Sequence, residues 1–171
     1  MKAAREPVPG LAIDTNLLLV VLGHRCLQYE QATTLKREQV LNRIRGRSDF
    51  VPVERFEALW HYFRTARRRV VTQHVVAEAY GSRRRLEFPK EVIWRSAIDV
   101  LTEFALEELA CSIRDLRGAK AYERLLFEIG PTDAGLLHLA EREKLTLVTE
   151  DGPLLQWAGT RAVPVLHLRQ I

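Results

Sequence analysis

Little in this chain serves as a staple, an anchor or a linker. Cys26 and Cys111 are the two cysteines, and they share no paired spacing. Their scarcity argues against a disulfide framework and a cysteine-based zinc site, and favours a reduced, cytoplasmic setting. The longest apolar run, Leu17 to Leu22, is far too short to cross a bilayer, and no apolar stretch of signal-peptide length precedes Asp14. No membrane partner is therefore expected. Internal repeats, low-complexity segments and Pro/Gly-rich linkers are missing, which makes residues 1–171 one expected domain with a loose tail at 1–10. The five histidines, His24, His61, His74, His138 and His167, show no ligand spacing. Excess charge of one sign is small: the net charge is +4 and the pI about 9.3. That balance permits a polyanionic partner without requiring one.

What is present is an alternation of short apolar runs with helical patterns. Leu11 to Asp14 reads as a buried strand that stops on an acid, and Leu17 to Leu22 opens a helix capped by Asn16 or Thr15. Gln31 to Arg45 is mostly polar, with Leu35, Val40, Leu41 and Ile44 as a thin stripe, and predicts an exposed amphipathic helix. Pro52 opens another helix, with Phe56, Leu59, Trp60 and Phe63 on one face, ending in Arg64, Arg67, Arg68 and Arg69. Val70 and Val71 form a second strand, and Thr72 caps a helix that carries Glu78 in its second turn and is followed by Arg83, Arg84 and Arg85. Pro89 opens a long helix, and a third strand is placed at Leu109 to Ile113. Further helices follow Gly118 and Gly130, the latter with Asp133 in its first turn. Leu145 to Thr149 is a fourth strand stopping on Glu150-Asp151, and Val163 to Leu166, marked by Pro164, is an edge strand. The pattern predicts an α/β fold, a parallel sheet of about five strands with helices on both faces. The absence of a glycine-rich loop after strand one argues against a nucleotide-binding fold.

Right-handed crossovers bring strand C-termini and the following helix N-termini to one sheet edge. Asp14, Glu78, Asp133 and Asp151 therefore reach the same edge from four segments. Crowded carboxylates raise one another's pKa, and a cation relieves them; oxygen ligands select Mg²⁺ or Mn²⁺ over zinc. Such an ion activates water and steadies the charge on a phosphodiester. Arg64, Arg67, Arg68, Arg83, Arg84 and Arg85 flank the Glu78 segment and are candidates for phosphate contacts. Singly, each acid has a plainer explanation: Asp14 as a helix cap, Asp133 as a first-turn acid, Glu78 as a solvated position, Asp151 as turn chemistry. Glu150 alternates to the other face of its strand and is expected in solvent. Cys26 and Cys111 are expected to be buried and inert.

Ile13-Asp14-Thr15-Asn16, an isolated Glu78 after a β-branched strand, Pro131-Thr132-Asp133-Ala134 and Leu147-Val148-Thr149-Glu150-Asp151 occur in that order. In these stretches the sequence resembles the PIN-domain family of metal-dependent ribonucleases. The resemblance implies a Rossmann-like sheet, a Mg²⁺ or Mn²⁺ site made by Asp14, Glu78, Asp133 and Asp151, and cleavage of single-stranded RNA by metal-activated water. Asn16 and Thr149 match positions that support the acidic cluster through hydrogen bonds. Many small bacterial members are toxins held by a protein antitoxin, and they usually form homodimers. One departure is the long connection from Asp14 to Glu78, which carries the extra polar helix at 31–45. Glu54 and Glu57 lie in the same interval, and Glu78 is preferred because it alone follows a strand directly. An alternative of a different class is a catalytically idle RNA- or protein-binding module on the same fold.

Overall fold

The computed structural model describes residues 10–118 and 120–171. Of the expected tail, residues 1–9 lie outside the described residues. Gly10 is buried and its carbonyl accepts from the Thr146 N–H at 2.9 Å, so it belongs to the sheet. In chain order the elements are β1 (Leu11–Ile13), α1 (Thr15–Tyr29), α2 (Thr34–Arg45), α3 (Val53–Thr65), β2 (Arg69–Thr72), α4 (Gln73–Ser82), α5 (Lys90–Thr102) and β3 (Leu106–Leu109). Then follow α6 (Ile113–Gly118), α7 (Lys120–Glu128), α8 (Gly130–Arg142), β4 (Thr146–Val148), α9 (Gly152–Thr160) and β5 (Val165–Leu166). The strands form one all-parallel, five-stranded sheet in the order β3-β2-β1-β4-β5, flanked by helices. The fold is thus the α/β class that the alternation predicts.

The order turns back at β1. With right-handed crossovers, connections on the two sides of that point cover opposite faces. α1 packs with α2, α3, α4 and α5, α8 packs with α6, α7 and α9, and α4 reaches α8 as well as α1. β1, the central strand, and its neighbour β4 are apolar and buried throughout apart from Thr146. α1 is buried almost all round, from Leu17 through Val21 and again at Cys26 and Leu27. A helix apolar on every side needs cover on every side. α2, the extra helix, supplies part of that cover: Leu41 and Ile44 are fully buried, and Ile44 fills the space beside Gly23, where a Cβ would stand 2.4 Å from its Cδ1.

Four placements differ from the expected ones. The cap of α1 is Asp14, the plainer of the two roles open to that residue, rather than Asn16 or Thr15: its Oδ1 accepts from the Leu17 N–H at 2.8 Å. The third strand is Leu106–Leu109 rather than Leu109 to Ile113. Its sequence, Leu-Glu-Glu-Leu, carries two acids because it is an edge strand, and charges there discourage pairing with another chain. Glu107 accepts from Arg68 Nε at 2.8 Å. α3 ends at Thr65, so of the arginines expected at its end only Arg64 lies in the last turn; Arg69 is the buried first residue of β2. Arg69 donates to the carbonyls of Phe63, Arg64 and Phe104. Finally, α6 is a further short helix ahead of α7. Among the described residues no helix is long and apolar enough to cross a membrane.

α2 ends on Gly46, in the left-handed region at φ 72°, with its N–H returned to the carbonyls of Asn42 and Arg43. A Cβ there would also stand 2.7 Å from Arg85 Nη2. Gly46→Ala is expected to cost about 1–2 kcal/mol in urea unfolding, the penalty of a side chain in that conformation. A cost within error of zero would show that α2 does not depend on this turn.

Candidate functional site

In open α/β sheets ligands bind at the carboxyl ends of the strands where the strand order reverses. Here that place lies between β1 and β4. Ile13 is in register with Val148, so the next residues, Asp14 and Thr149, stand side by side. Both are buried, and the Thr149 hydroxyl donates to Asp14 Oδ2 while Asp14 Oδ1 caps α1. The Thr149 hydroxyl also accepts from the Asp151 N–H at 3.0 Å. Asp151 in turn caps α9, its Oδ1 accepting from the Leu154 N–H at 3.0 Å. One chain of hydrogen bonds therefore runs from α1 through Asp14 and Thr149 to Asp151 and α9.

Glu78 and Asp133 approach from the other side of β1. Glu78, exposed on α4, accepts at Oε2 from the Thr15 hydroxyl at 2.9 Å, which ties it to the residue after Asp14. Asp133 stands in the first turn of α8, half-buried, and accepts no hydrogen bond from the described residues. Burial, followed by the charges of Asp151, Asp14 and Glu78, pushes its carboxyl up to about 7. Asp14 is raised to about 6 by burial, against the opposing pull of its hydrogen bonds from Thr149, Leu17 and Glu150. The four acids from four segments share one electrostatic field, and among the described residues none of them is in an ion pair.

The donor set fits a hard divalent cation by charge and chemistry: it is all oxygen. Asp151 Oδ2, Glu78 Oε1 and both Asp133 oxygens receive no hydrogen bond from the described residues. As oriented, no three Asp, Glu, His or Cys side chains among the described residues stand close enough to share one ion. Shared ligation requires these side chains to rotate.

No family model, curated protein or solved structure matches this chain.

The remaining candidates divide. Thr149 lies within the acidic network, but Asn16 does not: it is exposed, and its Oδ1 accepts from Arg85 Nη1 at 2.8 Å. That contact places Arg85 beside the acidic edge. Arg83 stacks on Tyr80, 4.0 Å from its ring centroid, and donates to the Tyr80 carbonyl; Arg84 is exposed. Arg64, Arg67 and Arg68 precede β2 and so stand at the opposite edge of the sheet from the acids, where Arg68 pairs with Glu107 and Glu143. His138, one turn beyond Asp133, packs edge-on against Tyr122, and burial lowers its pKa. Trp60 is core, Trp157 half-buried and Trp94 exposed.

Glu150 reverses the expectation of solvent exposure. It is buried, and its carboxylate is gripped by Arg45, itself buried, from the end of α2. Glu150 lies beyond the end of β4, where strand alternation no longer governs it, and the side chain of Arg45 from α2 meets it there. Thr15 and Arg45 also escape a sequence reading. Arg45 sits one turn after Leu41 on the same helical stripe, which is the signal available for its burial.

The acid field has a measurable consequence for folding. Well below 3.8, the ordinary value of an aspartate, Asp133 is protonated in folded and unfolded chains alike. Between that point and about 7 the unfolded chain loses this proton first, so stability falls as pH rises through the window. In chelator, Asp133→Asn is expected to unfold at a higher temperature than the parent at about pH 8, by about 2–4 °C per kcal/mol regained. The gap should close toward pH 4. Equal midpoints at both pH values in calorimetry would contradict the field.

Proposed function

We propose that this protein is a Mg²⁺- or Mn²⁺-dependent endoribonuclease that hydrolyses phosphodiester bonds of single-stranded RNA. The observation that carries the reading is that Asp14, Glu78, Asp133 and Asp151, none of them in an ion pair among the described residues, come from four segments to the sheet edge where the strand order reverses. A bound divalent ion supplies a Lewis acid that makes water a stronger nucleophile and offsets charge on a phosphodiester.

The chain's own groups have separate tasks in this reading. Asp14 is the fixed member: Thr149 and the Leu17 N–H hold both its oxygens in place. Asp151 is fixed at one oxygen and open at the other, and Asp133 is unconstrained by hydrogen bonds from the described residues. Near neutral pH the Asp133 carboxyl is partly protonated, so cation binding there displaces a proton. Arg85 and Arg47 stand beside this edge, on Asn16 and on the Glu150 carbonyl, with further N–H groups for backbone phosphates. The net charge of +4 favours the approach of such a polyanion. A cytoplasmic location, a protein antitoxin and homodimerisation belong to the same proposal and rest on the resemblance alone.

A second reading is favoured by one observation, the absence of three convergent metal-binding side chains among the described residues. In that reading the chain is an idle RNA-binding module, and it retains RNA equally well with and without chelator.

The test is cleavage of a mixed-sequence single-stranded RNA in Mg²⁺ or Mn²⁺, then in excess chelator, by the parent and by Asp14→Asn. Asparagine caps a helix as well as aspartate does, so the variant is expected to fold. Its rate should fall by more than about 100-fold, beyond the 10–100-fold typical of residues that only orient ligands. Retention of RNA without turnover, unaffected by chelator, would establish the binding module instead.

A further inference from the structure

The turn Thr149-Glu150-Asp151 contributes two members of the acidic network, and the residue between them is held from outside it. Glu150 is 4% exposed and its partner Arg45 is 3% exposed. Arg45 Nε and Nη2 address the two oxygens of Glu150, the second at 2.8 Å. The remaining donors of Arg45 are used as well: Nη1 reaches the Asp49 carbonyl at 2.7 Å, and Nη2 also reaches Asp49 Oδ2 at 2.8 Å. The Glu150 carbonyl accepts from Arg47, and its backbone amide faces the Asp14 carboxylate. Glu150 is thus fixed at side chain, carbonyl and amide. Two of those three grips come from the long connection between Asp14 and Glu78, one from Arg45 at the end of α2 and one from Arg47 just beyond its Gly46 cap.

Burying two charges is costly, and a buried ion pair is a poor source of stability: well-packed apolar side chains of similar size often serve as well or better. What a planar, two-pronged contact provides is orientation. We propose that the Arg45–Glu150 pair is a positioning device, through which α2 sets where Thr149 and Asp151 stand relative to Asp14. The inference rests on the metal-site reading above. It gives the extra helix a task beyond covering α1.

The test separates orientation from stability. In Arg45→Met/Glu150→Leu the pair is replaced by apolar groups, and the unfolding midpoint is expected to stay within about 5 °C of the parent, since such replacements are often neutral. Mn²⁺ affinity is read by the electron paramagnetic resonance of free Mn²⁺ on the full chain. The dissociation constant should rise at least tenfold in this folded variant, with a smaller rise in Arg45→Lys, which keeps the charge and loses the fork. A folded double variant that binds Mn²⁺ within twofold of the parent overturns the proposal and leaves the metal site standing. A parent that binds no Mn²⁺ overturns both. Should the double variant fail to fold, Glu150→Gln decides instead: it keeps the shape and removes one acceptor, so a weaker affinity supports the proposal and an unchanged one overturns it.

Discussion

The carboxylate of Asp14 is the joint on which the acidic edge depends. With one oxygen it caps α1; with the other it receives the Thr149 hydroxyl from the end of the neighbouring strand. It is a charge with almost no exposure, held between two apolar strands. Burial disfavours its ionised form, and the hydrogen bonds favour it. Asp151 and Glu78 are attached to this joint through Thr149 and Thr15. Asp133 alone has no such tether among the described residues, and burial together with the charges of the three other acids raises its pKa.

Concentrating negative charge in this way works against folding, and the rest of the molecule supplies the margin. β1 and β4 are buried through their length apart from Thr146, and α1 is enclosed by α2, α3, α4 and α5. Such a core holds the backbone ends of β1 and β4 in register whatever their side chains prefer. The acids are thereby kept together by packing elsewhere, an arrangement suited to a site whose charge is completed by a ligand. The extra helix α2 takes part twice: it closes the core over α1 and braces the turn after β4.

Much of this was legible in the sequence, because the principal elements announce themselves by period and punctuation. The run Leu17 to Leu22, the caps Thr72 and Pro52, and the β-branched strand at Val70-Val71 each carry a local signal. β3 carries none: an edge strand of two leucines around two glutamates lacks both the alternation and the apolar run that mark a strand. The four acids could be brought to one edge from topology alone, since handedness decides which strand ends share a side. What the sequence could not show were contacts made across long separations. The burial of Glu150 depends on Arg45, 105 residues away, and Asn16 is taken by Arg85 rather than by the acids. Arg64, Arg67 and Arg68 are close to Glu78 in sequence and yet lie on the far side of β2, at the opposite edge of the sheet.

The most direct measurement is calorimetric titration of the intact protein with Mn²⁺ at about pH 6.5, repeated in buffers of different ionisation heat. The account predicts saturable binding accompanied by proton release, because Asp14 and Asp133 are partly protonated there and a cation must displace those protons. Asp14→Asn should weaken the binding and reduce the release. Absence of binding, or binding without release of protons, would contradict the claim that these carboxylates form one cation site.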